Sequence, residues 1–338
     1  MLEKNEDICY IEEKQEAIFL NTTPYMTIRR IEFMVTYRCT GACQHCSVSD
    51  CRNSPDAKNF VRPDKAAEAV AQLAEMFDVS SVMTFGGEPL LHPETVCAVH
   101  RAAADAGIPK RQVITNGCFT KNEDRIRTVA ESLYSAGVND LLLSVDAFHQ
   151  RTIPLDIVRR FAEEVQRTGL TQFRLQPAWL VNRAHDNPYN AETERILASF
   201  RDMGLTENEG NDIFMAGDAV KNFAEYYPAP CLELSDTCGS MPYTEPLDRV
   251  TNLSVNPNGD AVVCGFMIGN IYREPVAEIV RRYNPYENEA MRAILENGAA
   301  GLLNLAAEKG IDVDTRDCYS VCDVCRKVCG QLGKRESV

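Results

Sequence analysis

Cysteine is the residue type with the most chemical potential in this chain, with 14 in 338 residues. Cys39, Cys43 and Cys46 form a C-x3-C-x2-C triplet, a pattern expected by chance only about 0.02 times in such a chain. Three thiolates are too few for a closed zinc site, and the neighbouring His45 is badly placed to complete one. A four-iron cluster accepts three thiolates and leaves one iron open for a ligand. We predict an iron–sulfur site here, with zinc as the alternative.

Seven further cysteines lie in the last third of the chain: Cys231, Cys238, Cys264, Cys318, Cys322, Cys325 and Cys329. Thiols clustered in this way, in a chain without the features of a secreted protein, indicate metal or redox chemistry. Four others are scattered, namely Cys9, Cys51, Cys97 and Cys118. We expect these four to be core residues or spectators.

Short β-rich runs alternate with segments of helical periodicity, which predicts parallel βαβ units. The expected strands are 31–36, 81–85, 112–115, 140–145 and 172–177, and the expected helices are 64–77, 94–106, 124–136, 155–168 and 192–203. A sixth unit, up to about residue 227, is blurred. Beyond it, 253–264 reads as a hairpin that turns at Pro257-Asn258-Gly259, followed by helices near 275–283 and 285–296. The terminal CYSVCDVCRKVCG is expected to be a dense thiolate knot.

The unusual residues follow the strands at equivalent places. The triplet comes after the first strand, Gly86-Gly87-Glu88-Pro89 after the second and Thr115-Asn116-Gly117 after the third, while Ser144-Val145-Asp146 closes the fourth. The carboxyl ends of the strands form the active face of a βα barrel, so these motifs should converge on one mouth. His149, just beyond the fourth strand, is expected to make a helix-start or loop hydrogen bond, with a position at the mouth as the alternative. The fold class is α/β, a partial (βα)6 TIM-like barrel with a C-terminal cysteine-rich extension.

Composition excludes several classes of protein. Hydrophobic residues make up 45% and charged residues 25%, which are globular values. The formal charge of -14 disfavours nucleic-acid partners. No apolar run is long enough to span a membrane, and the acidic start of the chain lacks a secretory signal, so we expect a cytoplasmic protein. The predicted organisation is an N-terminal segment (1–30), a barrel (31–227) and an auxiliary domain (228–338).

The triplet after a first strand, with Phe85–Pro89 (FGGEP) after a second, resembles the radical S-adenosylmethionine (radical SAM) superfamily. The resemblance implies that Cys39, Cys43 and Cys46 hold a [4Fe-4S] cluster whose open iron binds SAM. One electron, from a donor such as flavodoxin or ferredoxin, then cleaves SAM to a 5′-deoxyadenosyl radical that abstracts a hydrogen atom from the substrate. The implied SAM-binding residues are Gly86, Gly87, Glu88, Pro89, Asn116, Ser144, Asp146 and Arg183. His45 replaces the aromatic residue usual before the third cysteine, and can still flank an adenine.

The run VNPNGDAVVC…GNIYREPVAEIV, followed by Cys322-x2-Cys325, is similar to the SPASM/twitch subgroup, whose extensions hold auxiliary iron–sulfur clusters. The resemblance implies one auxiliary [4Fe-4S] cluster on Cys238, Cys264, Cys322 and Cys325, with a second cluster or zinc as alternatives. Cys318 and Cys329 are then spare ligands, buried thiols or reactive groups. The spacing from Cys318 to Cys329 departs from the full SPASM pattern.

The resemblance favours a peptide maturase, which modifies a peptide or protein by epimerisation, thioether formation or crosslinking. The alternatives are a small-molecule radical dehydrogenase, a sulfatase-maturing type of enzyme, and a non-enzymatic Fe-S or zinc scaffold. A leader peptide would bind the barrel or a separate leader-binding protein. Cys231, at the junction of barrel and extension, is predicted to be a hydrogen-atom donor or a substrate-side ligand, against a structural role.

Overall fold

A computed structural model describes residues 23–52, 54–241 and 244–336. Cys9 and most of the predicted N-terminal segment lie outside the described residues. The strands are β1 (Met26–Met34), β2 (Ser81–Phe85), β3 (Lys110–Thr115), β4 (Asp140–Ser144), β5 (Gln172–Gln176), β6 (Thr206–Glu207), β7 (Val250–Val255), β8 (Asp260–Val263) and β9 (Phe266–Asn270). Two further two-residue strands, Ala178–Trp179 and Asn211–Asp212, pair with each other.

The longer helices alternate with the first strands and then dominate the C-terminal region. They are α1 (Pro63–Met76), α2 (Pro93–Asp105), α3 (Glu123–Ser135), α4 (Leu155–Thr168), α5 (Pro188–Ala198), α6 (Val276–Arg281), α7 (Glu289–Glu308) and α8 (Val321–Glu336). Short α-helical turns cover Ser49–Arg52, Ala147–Gln150 and Asp218–Phe223. Short 3₁₀ turns cover Pro55–Lys58, Pro89–Leu91, Arg201–Met203, Ala224–Tyr226 and Pro285–Glu287.

A single open sheet carries the site. Its order is β9-β8-β7-β1-β2-β3-β4-β5-β6, and β1 to β6 run parallel in chain order. This is the α/β partial barrel expected from the sequence, with a sixth strand of two residues. Helices α1 to α4 each follow a strand, so the carboxyl ends of β1 to β4 meet at one edge.

The C-terminal region continues the same sheet. β7 pairs parallel with β1, and β7, β8 and β9 form an antiparallel meander whose first turn is the predicted Pro257-Asn258-Gly259. Helix α7 is kinked at Gly298, whose φ is 61°. No helix among the described residues has the length and apolar character needed to cross a membrane.

The core explains why these segments form these elements. β4 is buried along its whole length, as expected for a central strand covered on both faces. Helix α4 buries Val158, Phe161, Ala162 and Val165 at helical spacing and ends at Gly169, whose φ of 77° suits a residue without a side chain. Hydrophobic packing therefore fixes the strand ends on which the polar motifs sit.

Candidate functional site

A cavity of about 220 Å³ opens where the first four strands end. Cys39, Cys43 and Cys46 line it from the loop after β1. Ends of the next three strands complete the wall, with Gly86 and Gly87, Thr115 and Asn116, and Ser144. The structure therefore brings together the triplet and parts of all three other motifs that the sequence placed at the mouth.

The two glycines let the end of β2 pack directly on the chain that leads into the cysteine loop. The N–H of Gly87 donates to the carbonyl of Thr36 at 2.7 Å, and the N–H of Glu88 donates to the carbonyl of Arg38 at 2.8 Å. A Cβ on Gly87 would lie 2.2 Å from the Arg38 carbonyl oxygen. Only glycine fits such a close approach, so this segment sets the position of Cys39, the next residue after Arg38.

Glu88 occupies a different place from the one expected of a group that meets a ligand. Its side chain is fully buried and accepts hydrogen bonds from the N–H of Leu90 at 2.9 Å, the hydroxyl of Thr115 at 2.7 Å and the N–H of Asn116 at 2.8 Å. Burial raises the pKa of Glu88 to about 7. Both carboxylate oxygens are occupied in joining the ends of β2 and β3, and the following Pro89 is buried as the first residue of a short turn. This geometry gives Glu88 a positioning role, and the SAM contact expected of Glu88 and Pro89 stays a prediction.

Asn116 and Ser144 do face the cavity. The Nδ2 of Asn116 donates to the Cys39 thiol at 3.5 Å and to the Thr40 hydroxyl at 3.3 Å, so this side chain touches the cysteine loop itself. Ser144 is the last residue of β4 and is 8% exposed. Each offers a hydrogen-bonding group to a ligand bound beside the thiols.

Asp146 and His149 form a buried pair next to the cavity. Asp146 caps the Ala147–Gln150 turn, accepts from the N–H groups of Phe148 and His149 at 2.9 Å, and bonds the His149 Nδ1 at 2.7 Å. Burial opposes ionisation, yet the His149 imidazole holds the pKa of Asp146 below its usual value. His149 lines the cavity and Asp146 does not. Asp146 supports His149, for which the sequence predicted a helix-start or loop hydrogen bond, with a position at the mouth as the alternative. The SAM contact expected of Asp146 stays a prediction.

His45 lines the same cavity, with its ring edge-on to Phe148 at 5.1 Å and to His149 at 5.0 Å. Burial lowers the pKa of His45 to about 4, so the ring is neutral at pH 7. A neutral planar ring at this position suits a stacking or edge contact with an adenine, as the sequence led us to expect.

The cysteine loop is held from two sides by residues that sequence analysis missed. The N–H of Ala42 donates to the Thr152 hydroxyl at 3.0 Å. On the other side, the N–H of Asp218 donates to the Cys46 carbonyl at 3.1 Å, and the Nδ2 of Asn222 donates to the Gln44 carbonyl at 3.0 Å. These contacts join residues far apart in the chain, so no local pattern could have revealed them.

The donor set of the loop fits an iron–sulfur cluster. Burial raises the pKa of Cys39 to about 11, and it also raises the pKa values of Cys43 and Cys46. All three side chains are therefore neutral thiols that lose a proton when they bind a metal. The three thiols line one cavity, and a four-iron cluster accepts three thiolates at three of its corners and leaves the fourth iron open.

Two predicted site residues lie away from this cavity. Arg183 is half exposed, pairs with Glu194 and Glu207, and lies over the Trp179 ring at 4.8 Å. Cys231 is exposed, in a segment without regular secondary structure, and is not part of the cavity wall. Neither residue lines the cavity, and the roles expected for Arg183 and Cys231 stay predictions.

The C-terminal cysteines form a second group. The Cys264 thiol and burial raise the pKa of Cys238, and the Cys329 thiol, 3.9 Å away, raises the pKa of Cys325 together with burial. The charges of Cys322 and Cys329 also raise the pKa of Cys238, and those of Cys238 and Cys264 raise the pKa of Cys325. The charge of Cys264 raises the pKa of Cys322. Cys318 is fully buried and its charged neighbours are Lys327, Asp323 and Asp317.

Helix α8 explains why three of these thiols meet. The sequence predicted a dense thiolate knot and assigned no helix to it. In the structure Cys322, Cys325 and Cys329 are at positions i, i+3 and i+7 of one helix, and so share a face. Val321, Val324 and Val328 are buried in the same helix. The helix therefore presents three thiols toward Cys238 and the turn after β8.

Comparison with known proteins adds to this geometry. The Radical SAM superfamily model matches residues 33–206. The chain is 29% identical over 168 residues to GTP 3′,8-cyclase 1 of Pseudomonas aeruginosa, covering 47% of this chain and 49% of that protein. It is 26% identical over 214 residues to GTP 3′,8-cyclase of Pseudomonas putida, covering 57% and 61%. The chain thus spans about half to three fifths of the length of these relatives.

Solved structures with a similar fold include native anSMEcpe with bound AdoMet, with a TM-score of 0.47, 14% identity, and coverage of 77% of this chain and 81% of that one. Streptococcus suis SuiB bound to S-adenosylmethionine has a TM-score of 0.41 and 13% identity, with coverage of 92% and 81%. The family match covers more than half of the 338 residues and starts in the strand before the cysteine loop, so this protein belongs to the radical SAM superfamily.

Proposed function

We propose that this radical SAM enzyme binds a [4Fe-4S] cluster through Cys39, Cys43 and Cys46, with SAM in the cavity beside them. The observation that carries the proposal is the single cavity shared by the three thiols, the glycines after β2 and the polar ends of β3 and β4. When reduced by a one-electron donor such as flavodoxin or ferredoxin, the bound pair supplies a 5′-deoxyadenosyl radical for hydrogen-atom abstraction.

The residues of the chain divide into groups that meet SAM and groups that hold them. Asn116, Ser144 and the backbone of Gly86 and Gly87 line the cavity and supply the polar contacts. His45 supplies a planar surface for the adenine. Glu88 and Asp146 position the residues that line the cavity, because their carboxylates accept hydrogen bonds from groups within the protein.

The C-terminal region is proposed to be a SPASM/twitch-like extension with one auxiliary [4Fe-4S] cluster. Five thiols are within mutual electrostatic reach, the four expected ligands Cys238, Cys264, Cys322 and Cys325 together with Cys329. Four ligands suffice for one cluster, and Cys329 is the alternative to Cys322. A second cluster would have to draw on Cys231 and Cys318, which lie outside this group.

The substrate is proposed to be a peptide or protein. A nucleoside triphosphate carries about four negative charges, and proteins bind such groups through several charge-assisted hydrogen bonds. The chain has a formal charge of -14, which suits a substrate of low negative charge better. The second candidate is a small-molecule reaction like that of the GTP 3′,8-cyclases, favoured by the sequence similarity.

The radical function is tested by anaerobic reconstitution, followed by measurement of 5′-deoxyadenosine after dithionite reduction. The variant with Cys39, Cys43 and Cys46 all changed to Ala should lose SAM cleavage and keep the iron of the auxiliary site, because the two thiol groups occupy different parts of the fold. Wild-type protein that holds iron but never forms 5′-deoxyadenosine would overturn the proposal. Zero iron in the triple variant would overturn the auxiliary assignment alone.

The substrate class is tested by comparing 5′-deoxyadenosine formation in the presence of GTP with that in the presence of short peptides encoded beside the gene. Peptide turnover should appear in mass spectra as a loss of two hydrogens for a crosslink or thioether. Epimerisation should appear as deuterium taken up from D₂O. Consumption of GTP with no effect of any peptide would replace the peptide proposal with the small-molecule one.

A further inference from the structure

The wall of the cavity contains a cation, Arg52, that makes no ion pair within the described part of the chain. Arg52 ends the short helical turn Ser49–Arg52 and lines the cavity. No carboxylate in the described residues lies within ion-pair distance of its guanidinium, although acidic residues exceed basic ones, 49 to 35, in the whole chain. A cation that faces a cavity and lacks a carboxylate partner is available to act on whatever occupies that cavity.

The guanidinium is tied to the cysteine loop. Its Nη1 donates to the carbonyl of Gly41 at 3.0 Å, and Gly41 lies between Cys39 and Cys43 in the chain. A Cβ on Gly41 would lie 2.9 Å from the Ile153 side chain, so the loop is closely packed where Arg52 holds it. The hydrogen bond therefore fixes a positive charge beside the loop that carries all three thiols.

The cation shares the cavity wall with the thiols. Cys39, Cys43 and Cys46 line the same cavity as Arg52, which is the one Lys or Arg in that wall within the described residues. The carboxylates of Glu88 and Asp146 are engaged in hydrogen bonds within the protein. Arg52 is therefore the fixed positive charge closest in the wall to whatever the three thiols bind.

We propose that Arg52 is a positioning residue that raises the reduction potential of the iron–sulfur cluster on Cys39, Cys43 and Cys46. This inference rests on the proposed function. One-electron reduction makes the cluster more negative by one charge, and a fixed cation in the wall of the same cavity stabilises that added charge. The electron comes from the same one-electron donor, and no bond or proton is involved. A raised potential lets a weaker one-electron donor reduce the cluster.

The test is a redox titration of the cluster followed by electron paramagnetic resonance, in the absence of SAM, on anaerobically reconstituted protein. Arg52→Gln keeps a hydrogen-bond donor for Gly41 but removes the charge, and Arg52→Lys keeps the charge. We expect the ratio of reduced to oxidised cluster at a fixed potential to fall about tenfold in Arg52→Gln, which equals about 59 mV for one electron. Arg52→Lys should stay within about threefold of wild type. A fall of equal size in both variants, or in neither, overturns the inference.

Two controls separate this inference from other outcomes. Arg62→Gln removes a guanidinium that pairs with Asp64 at 2.8 Å on the surface, and should titrate as wild type. Iron and sulfide are measured in every variant. If Arg52→Gln does not retain iron, Arg52→Met replaces it, with the same shift expected and an unshifted titration again counting against the inference. Failure of the proposed function is distinct, because wild-type protein would then show no reducible cluster signal that depends on Cys39, Cys43 and Cys46.

Discussion

Gly87→Ala is the substitution whose effect follows most directly from the geometry. A Cβ at this position would lie 2.2 Å from the carbonyl oxygen of Arg38 and 2.6 Å from that of Tyr37. Both obstacles are backbone atoms, so no side chain can rotate away to relieve the overlap. The end of β2 and the segment that leads into the cysteine loop must separate.

The size of the effect can be worked from the contacts that this separation breaks. Ordinary van der Waals contact requires the two segments to part by about 1 Å, which lengthens the hydrogen bonds from Gly87 to Thr36, at 2.7 Å, and from Glu88 to Arg38, at 2.8 Å. Each lost bond costs about 1 kcal/mol net, and a buried donor left unpaired costs about 1–3 kcal/mol. We expect the free energy of unfolding to fall by about 2–5 kcal/mol.

The assay is urea unfolding of the iron-free protein, combined with iron analysis after reconstitution. Cys39 follows Arg38, so Gly87→Ala should also lose most of the iron of the first cluster and keep that of the C-terminal site. Gly330→Ala is the matched control, because an added Cβ there meets nothing within 4 Å and alanine favours a helix by up to about 1 kcal/mol. A Gly87→Ala protein with unchanged unfolding and full iron would refute the role given to this contact.

Three further predictions concern separate parts of the structure. Burial raises the pKa of Glu88 from 4.5 to about 7, so the stability that its neutral form contributes is full below pH 4.5 and is lost as pH rises through about 7. In urea unfolding, the wild type should therefore lose up to about 3 kcal/mol relative to Glu88→Gln between pH 4.5 and about 8. Gly298→Ala would place a Cβ 2.7 Å from the backbone of Ser235 at a φ of 61°, so calorimetry should show about 1–3 kcal/mol of destabilisation, and the C-terminal iron should fall while the SAM-binding cluster remains. Cys325→Ser should remove auxiliary iron and Cys318→Ser should retain it; equal iron in the two variants would contradict the ligand group.

Most of the barrel could be predicted because its elements have strong local patterns. The helix over 155–168 and the strand over 81–85 match the expected bounds, since each has a regular apolar spacing and a clear end. Helix α8 was missed because its cysteines obscured the spacing of Val321, Val324 and Val328. The blurred sixth unit contains a strand of two residues, which has too few residues to show alternation.

The sequence by itself determined the chemistry that is available. It contains a cysteine triplet whose spacing rarely arises by chance, a glycine pair after a strand, and polar residues at the ends of two more strands. These are local features, because spacing along the chain and strand periodicity are fixed by covalent geometry. The tertiary structure decided which of these groups face the cavity. Glu88 and Asp146 turn inward, because a buried carboxylate must have its hydrogen bonds satisfied, and the partners come from distant strands and turns. Arg52 and His149 face the cavity because the direction of a side chain follows from packing between segments that are far apart in the chain. Sequence spacing does not encode that packing.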